Sequence, residues 1–94
     1  MDELRIDKWL WFARFCKSRS LAQHWIDAGE TWVNGRQVDK VSAVVRIGDE
    51  VTFRQGRRWR RVVVVATAVR RGPATEAQAL YQELAPPDPP PAED

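Results

Sequence analysis

The chain is poor in chemically active side chains: it has one cysteine, Cys16, and one histidine, His24. A single cysteine excludes an intramolecular disulfide, and the two residues together cannot supply a soft-ligand metal cluster. No stretch approaches ~18 uninterrupted apolar residues, so no segment reads as membrane-spanning. Asp2 and Glu3 stand where a secretory signal would place basic and then apolar residues, which points to a cytoplasmic protein. Glycine-rich phosphate loops, paired catalytic acids and metal-ligand spacings are also missing. His24 falls on the polar side of a helical segment beside Gln23 and Asp27, with no nucleophile to serve. Cys16 falls on an apolar stripe, where a thiol is inert. The expectation is a non-enzyme with no cofactor and no metal.

What is present fits one modest core: 94 residues, 44% hydrophobic, with five Trp and three Phe. Charge is distributed unevenly. Residues 1–71 hold all fifteen Lys and Arg against eight acids, a balance of +7. Residues 72–94 hold Glu76, Glu83, Asp88, Glu93 and Asp94 and no base, a balance of −5. A basic body with an acidic tail is the asymmetry of a polyanion binder, although charge runs also serve simply to keep a surface wet.

Ile6, Trp9, Leu10, Ala13 and Cys16 recur on one helical face and predict a first helix over 5–16. Asp7 lies in its first turn, where a carboxylate stabilises the helix dipole. Lys17-Ser18-Arg19 interrupts the pattern, and a second helix runs to about Ala28. It is capped by Ser18, or by the Ser20 and Gln23 pair, and stopped by Gly29. The period then changes to strands. Thr31–Val33 meets Asn34-Gly35, a two-residue hairpin signal. Residues 38–45 loop into a short strand, Ile47–Glu50 turns into Val51–Phe53, and Gln55–Arg58 turns again. Trp59–Val69 reads as a long strand whose Val62–Val65 run is buried on both faces. Thr75 and Gln78 cap a short helix carrying Ala77, Leu80, Tyr81 and Leu84 on one face. From Ala85 the proline-rich sequence reads as a disordered tail.

Cations gather in two groups. Arg5, Lys8, Arg14, Lys17 and Arg19 lie on the first helix and the inter-helix corner, where fixed cations and helix-start N–H groups suit phosphate. Arg54, Arg57, Arg58, Arg60 and Arg61 surround a later turn, serving either phosphate binding or protection of a valine-rich strand from edge pairing. Trp9 and Trp25 belong to the core. Trp11 and Phe15 are open between base stacking and packing, with packing favoured.

These residues carry a resemblance. Arg5-Ile6-Asp7-Lys8-Trp9-Leu10, Lys17-Ser18-Arg19 with Ala22, Ala28-Gly29, Val33-Asn34-Gly35 and Ile47-Gly48-Asp49-Glu50-Val51 resemble the RNA-binding domain named after ribosomal protein S-four, the alpha-L motif. Asp7-Lys8-Trp9-Leu10-Trp11, Ala13-Arg14-Phe15, Arg54-Gln55-Gly56, Arg70-Arg71-Gly72-Pro73-Ala74 and Glu76-Ala77 before Leu80-Tyr81 are similar to the bacterial fifteen-kilodalton heat-shock protein family. The resemblance covers residues 5–84. It implies an α+β fold, a two-helix hairpin packed on a small curved antiparallel sheet, with a short C-terminal helix. The domain would span 1–84, with 85–94 an acidic proline-rich tail.

The resemblance further implies RNA contacts from Arg5, Lys8, Arg14, Lys17, Ser18, Arg19, Gln23, Asn34, Gly35 and Arg36. It implies a ribosome-associated stress or quality-control factor that binds ribosomal RNA of the large subunit, including subunits holding a nascent chain after aborted translation. A monomer is expected, with neither DNA nor membrane as partner. The rival readings are an RNA-binding accessory to a separate tRNA- or rRNA-modifying enzyme, and a protein-interaction factor. Members of that family carry a Lys- and Arg-rich extension where this sequence has its acidic tail. Weaker RNA affinity is the expected consequence, with the tail competing for the basic body.

Overall fold

Both long helices stop by the same device. The structure, a computed structural model, describes residues 2–87. Helix α1 (Ile6–Phe12) follows directly on strand β1 (Glu3–Arg5), and helix α2 (Arg19–Asp27) follows after a short corner. Ser18 caps α2, its Oγ accepting the Leu21 N–H at 3.1 Å, so the alternative start at Ser20 is not used. At the far end Gly29 sits at φ +74°, with Gly29 N–H donating to Ile26 O and Glu30 N–H to Trp25 O, both at 3.0 Å. That bond pair is a Schellman closure. In α1, Arg14 N–H donates to Trp11 O and Phe15 N–H to Leu10 O, both at 3.1 Å, with Arg14 itself at φ +63°. The helix therefore ends at Phe12 and not at Cys16 as the apolar spacing predicts. The left-handed residue reverses the chain so that Phe15 and Cys16 turn into the core.

The strands follow. Strand β2 (Thr31–Val33) turns through Asn34 (φ +51°) and Gly35 (φ +81°) into β3 (Arg36–Gln37), the paired positive φ of a type I′ hairpin. Strand β4 (Val44–Arg46) pairs back with β1 in a two-stranded ribbon, Leu4 opposite Val45. Strand β5 (Glu50–Gln55), strand β6 (Arg58–Val64) and strand β7 (Tyr81–Leu84) complete an antiparallel sheet in the order β3-β2-β5-β6-β7. Between β6 and β7 lie helix α3 (Ala74–Ala77) and a 3-10 turn at Gln78–Leu80. This is the expected α+β arrangement of two helices on a small antiparallel sheet.

Ile6, Trp9 and Leu10 of α1 and Ala22, Trp25 and Ile26 of α2 pack against Val51, Phe53, Val62 and Val64 of the sheet. Phe53 is the centre, with Trp25 stacked at 5.7 Å between ring centroids and Phe15 at 4.7 Å. The Trp9 indole N–H donates to Ala66 O at 3.1 Å, so this buried ring leaves no orphan donor.

Two expectations fail here. The strand predicted over Trp59–Val69 ends at Val64, and its valines alternate: Val62 and Val64 are buried, whereas Val65 is 45% exposed. Helices cover one face of the sheet only, so a four-valine run is not buried on both sides. Tyr81–Leu84 is strand, not helix: the edge of β6 offers backbone partners, pairing Val64 with Tyr81 and Arg61 with Leu84. A four-residue helix that starts at Pro73 without a side-chain cap cannot compete with that pairing. The predicted tail lies mostly outside the described residues. Phe53→Ala should cost about 3–5 kcal/mol in a urea unfolding titration, because the cavity it leaves is walled by rigid rings.

Candidate nucleic-acid interface

The corner between α1 and α2 is built around a carboxylate. Asp7 has no exposed surface. Its Oδ1 accepts the Lys8 backbone N–H at 2.9 Å and Arg5 Nε at 3.2 Å. Its Oδ2 accepts Arg5 Nη2 and Arg19 Nη2 at 3.2 Å and Gln23 Nε2 at 2.9 Å. Burial alone pushes the carboxyl pKa up. The donors Gln23, Arg19 and Arg5 outweigh it and hold the group below its ordinary 3.8. Asp7 therefore does more than stabilise the helix dipole, which is all its position in the sequence suggests. It fixes three of the predicted RNA-facing residues at once.

The other predicted residues separate by what they touch. The Lys8 and Lys17 ammonium groups and the Arg36 guanidinium have no hydrogen-bond or ion-pair partner among the described residues, and Lys17 and Arg36 are exposed. Arg14 is exposed, with its Nε donating to Gly72 O at 2.7 Å. Ser18 is committed to capping α2. Asn34 is committed as well: Nδ2 donates to Asp49 Oδ1 at 3.0 Å and Oδ1 accepts the Glu50 N–H at 2.9 Å. Gly35 faces open space. Arg5 and Arg19, tied to Asp7, still expose 44% and 36% of their side chains, and Arg19 Nε is left without a hydrogen-bond partner.

Two hollows connect this set. One, about 520 Å³, is lined by Arg36, Lys40, Val44 and Arg46 among others. The other, about 240 Å³, is lined by Glu3, Leu4, Arg5, Lys8 and Val44. Val44 lines both, so the hairpin cation Arg36 and the helix cation Lys8 border neighbouring hollows. Lys40 and Arg46 line the first hollow and are absent from the sequence-derived set: Lys40 lies in an irregular loop that gives no period from which to place it, and Arg46, at the end of β4, is paired with Glu3 at 3.0 Å. Of the second basic group, Arg54 meets Glu30 at 3.5 Å, Arg60 pairs with Glu83 and lies 4.9 Å over the Phe15 ring, and Arg61 stands 3.9 Å from Glu50. These three brace the sheet, and only Arg57 and Arg58 stay exposed among them.

The aromatic question is resolved in favour of packing for Phe15, which is buried against Phe53 and Tyr81. Trp11 is half-buried beneath Arg71, whose guanidinium lies 5.4 Å from the ring centroid. Burial pushes the Cys16 thiol up to about 12, as an inert core cysteine requires. Among the described residues no three His, Cys, Asp or Glu side chains come together in a metal-binding group.

Asp7→Asn should destabilise the fold by about 3 kcal/mol at neutral pH, because it leaves two guanidinium groups facing an amide. A carboxylate with a depressed folded pKa contributes stability above its unfolded value and loses it as pH falls through the folded value. The gap between wild type and D7N in urea titrations should therefore hold from neutral pH down to the ordinary carboxylate range and close as pH falls below 3.8.

Comparison with known proteins covers the same segment. The S4 domain family model matches residues 4–51. Heat shock protein 15 of Escherichia coli K12 is 46% identical over 83 residues, which take in 88% of this chain and 62% of that protein. The chain thus spans about three-fifths of that relative's length. The RQC P-site tRNA stabilizing factor of Halalkalibacterium halodurans is 37% identical over 81 residues, covering 84% of this chain and 88% of that one. A trimeric structure of Vibrio cholerae heat shock protein 15 superposes with a TM-score of 0.82 at 43% identity, over 89% of this chain and 84% of its own. The matched segment contains both helices, the Asp7 cluster and the Asn34-Gly35 hairpin, and the chain belongs to the S4-domain family.

Proposed function

We propose that this chain is a cytoplasmic, ribosome-associated RNA-binding factor that works by binding and performs no catalysis. The observation that carries the reading is a set of cations without protein partners among the described residues: Lys8 and Arg36 beside two neighbouring hollows, and Lys17 at the helix corner that Asp7 organises. Fixed cations with no protein partner lose little on meeting phosphate, and backbone contacts of this kind read the shape of folded RNA more than its sequence. The relatives support the choice of partner: two carry the heat shock protein 15 name, and one is named for stabilising a P-site tRNA. The target in this reading is the large ribosomal subunit, in the state that retains a nascent chain after translation has aborted.

Sedimentation of tagged protein through sucrose gradients tests the partner. Salt-sensitive, ribonuclease-sensitive co-migration with free large subunits is expected, and protein remaining at the top under every condition would remove the ribosome from the account. With about five phosphate contacts, log affinity should fall against log salt with a slope of roughly −3 to −5. Lys8→Ala with Arg36→Ala should weaken binding about tenfold and flatten that slope by about 2, without shifting the melting temperature.

A further inference from the structure

The chain beyond the S4 match returns to the helix corner. Arg71 Nε donates to Trp11 O at 3.0 Å and its Nη2 to Cys16 O at 3.3 Å. In the opposite direction Arg14 Nε donates to Gly72 O at 2.7 Å. These bonds join residues more than fifty positions apart and place Arg70 and Arg71 beside Arg14 and Lys17. Arg71 is the anchor, seated on the Trp11 ring with its guanidinium spent on the Cys16 carbonyl and, as a second donor beside Arg14 N–H, on the Trp11 carbonyl. Arg70 is different. Its side chain is 66% exposed and its partner is Glu76, with Arg70 Nη2 at 3.2 Å from Oε2 and 3.3 Å from Oε1. Glu76 in turn lies over Gly72: a Cβ on that glycine would meet Oε2 at 2.0 Å. Arg14, Gly72, Glu76 and Arg70 are thus contiguous.

We propose that Arg14, Lys17 and Arg70 form a second phosphate-contact surface, anchored by Arg71, which carries the RNA interface past the S4 domain, and that Glu76 holds Arg70 until an RNA phosphate replaces it. The inference rests on the RNA-binding reading above and extends its site. The chemistry favours the exchange. An exposed Arg–carboxylate pair contributes little, so giving it up is cheap. A phosphodiester can accept a two-pronged guanidinium contact, where Glu76 is reached by Nη2 alone, and stays charged at every physiological pH. Arg14, joined to Gly72 beneath Glu76, adds positive charge beside the Arg70 pair, and a phosphate placed there is attracted by both guanidinium groups. Continuity matters too: Lys17 stands at the helix corner already assigned to RNA, so one strand passing the corner reaches Arg70 without leaving the protein.

The test is fluorescence anisotropy with a labelled RNA hairpin, read across a salt series. Arg70→Ala should weaken binding about three- to tenfold and reduce the salt slope by about 0.9, with an unchanged melting temperature. Glu76→Gln should tighten binding about two- to threefold, because it frees Arg70 in the unbound protein. The R70A/E76Q double variant should bind as R70A does, which a simple change in net charge would not produce. If R70A and E76Q both bind as wild type while K8A/R36A is weakened, this surface is wrong and the S4-face reading stands. If K8A/R36A also binds as wild type, both fall.

Discussion

A carboxylate removed from water must be fully hydrogen-bonded or give up its charge, and the architecture of this protein turns on Asp7 meeting that demand. Five donor contacts reach its two oxygens, from Arg5, Lys8, Arg19 and Gln23. Arg5 ends β1, Lys8 lies within α1, and Arg19 and Gln23 belong to the first turns of α2. One side chain thereby sets the angle at which the second helix leaves the first, and it does so at a charge-dense corner where two guanidinium groups would otherwise repel each other. Packing of Trp9, Trp25 and Phe53 supplies the bulk of the stabilisation. Apolar packing is tolerant of small rotations, however, and a saturated ionic cluster is not. The cluster is thus a better candidate than the core for what gives the corner a single geometry.

That arrangement divides the basic residues into two kinds. Arg5 and Arg19 are held by Asp7, and Arg54, Arg60 and Arg61 are held by Glu30, Glu83 and Glu50, so their positive charge is largely answered within the fold. Lys8, Lys17, Arg36, Lys40, Arg57 and Arg58 have no such answer among the described residues, and Arg14 and Arg71 meet only backbone carbonyls. The charge excess of the body therefore resides on these cations, and their placement, more than the total, determines where a polyanion is attracted. A count of Lys and Arg along the chain cannot make this distinction, since it weights Arg60, buried over Phe15, equally with Arg57.

What was legible in the sequence was local. The Ser18 cap, the Gly29 stop and the Asn34-Gly35 hairpin each depend on a few neighbouring residues, and each stands where the sequence places it. The apolar stripe of the first helix was read correctly as buried and incorrectly as continuous helix, because Ala13 and Cys16 reach the core through a turn that happens to preserve the spacing. Long-range pairing was not legible. Tyr81–Leu84 has helical spacing and becomes a strand because β6 has a free edge, a fact located some twenty residues away. Likewise the ribbon of β1 and β4 joins residues about forty positions apart with nothing in either segment to announce it. At the site, residue type and resemblance point to the cations, while the local role of Asp7 at the helix start hides its long-range contacts to Arg19 and Gln23.

Arg14 brings fold and function into conflict at one position. Gly29 and Arg14 occupy equivalent places in two Schellman closures, at φ +74° and φ +63°. Glycine adopts that conformation freely, whereas a residue with a Cβ pays about 1 kcal/mol for it. A sequence selected only for a stable turn would carry glycine at both. The contact from Arg14 Nε to Gly72 O returns part of the cost, and it uses one donor of a guanidinium whose remaining donors stay exposed. The guanidinium lies exposed at the corner, against the returning Gly72 segment. A cation at this point serves the proposed RNA interface in a way that glycine cannot, and the second closure, built with glycine where no cation is called for, is the internal control for that reading.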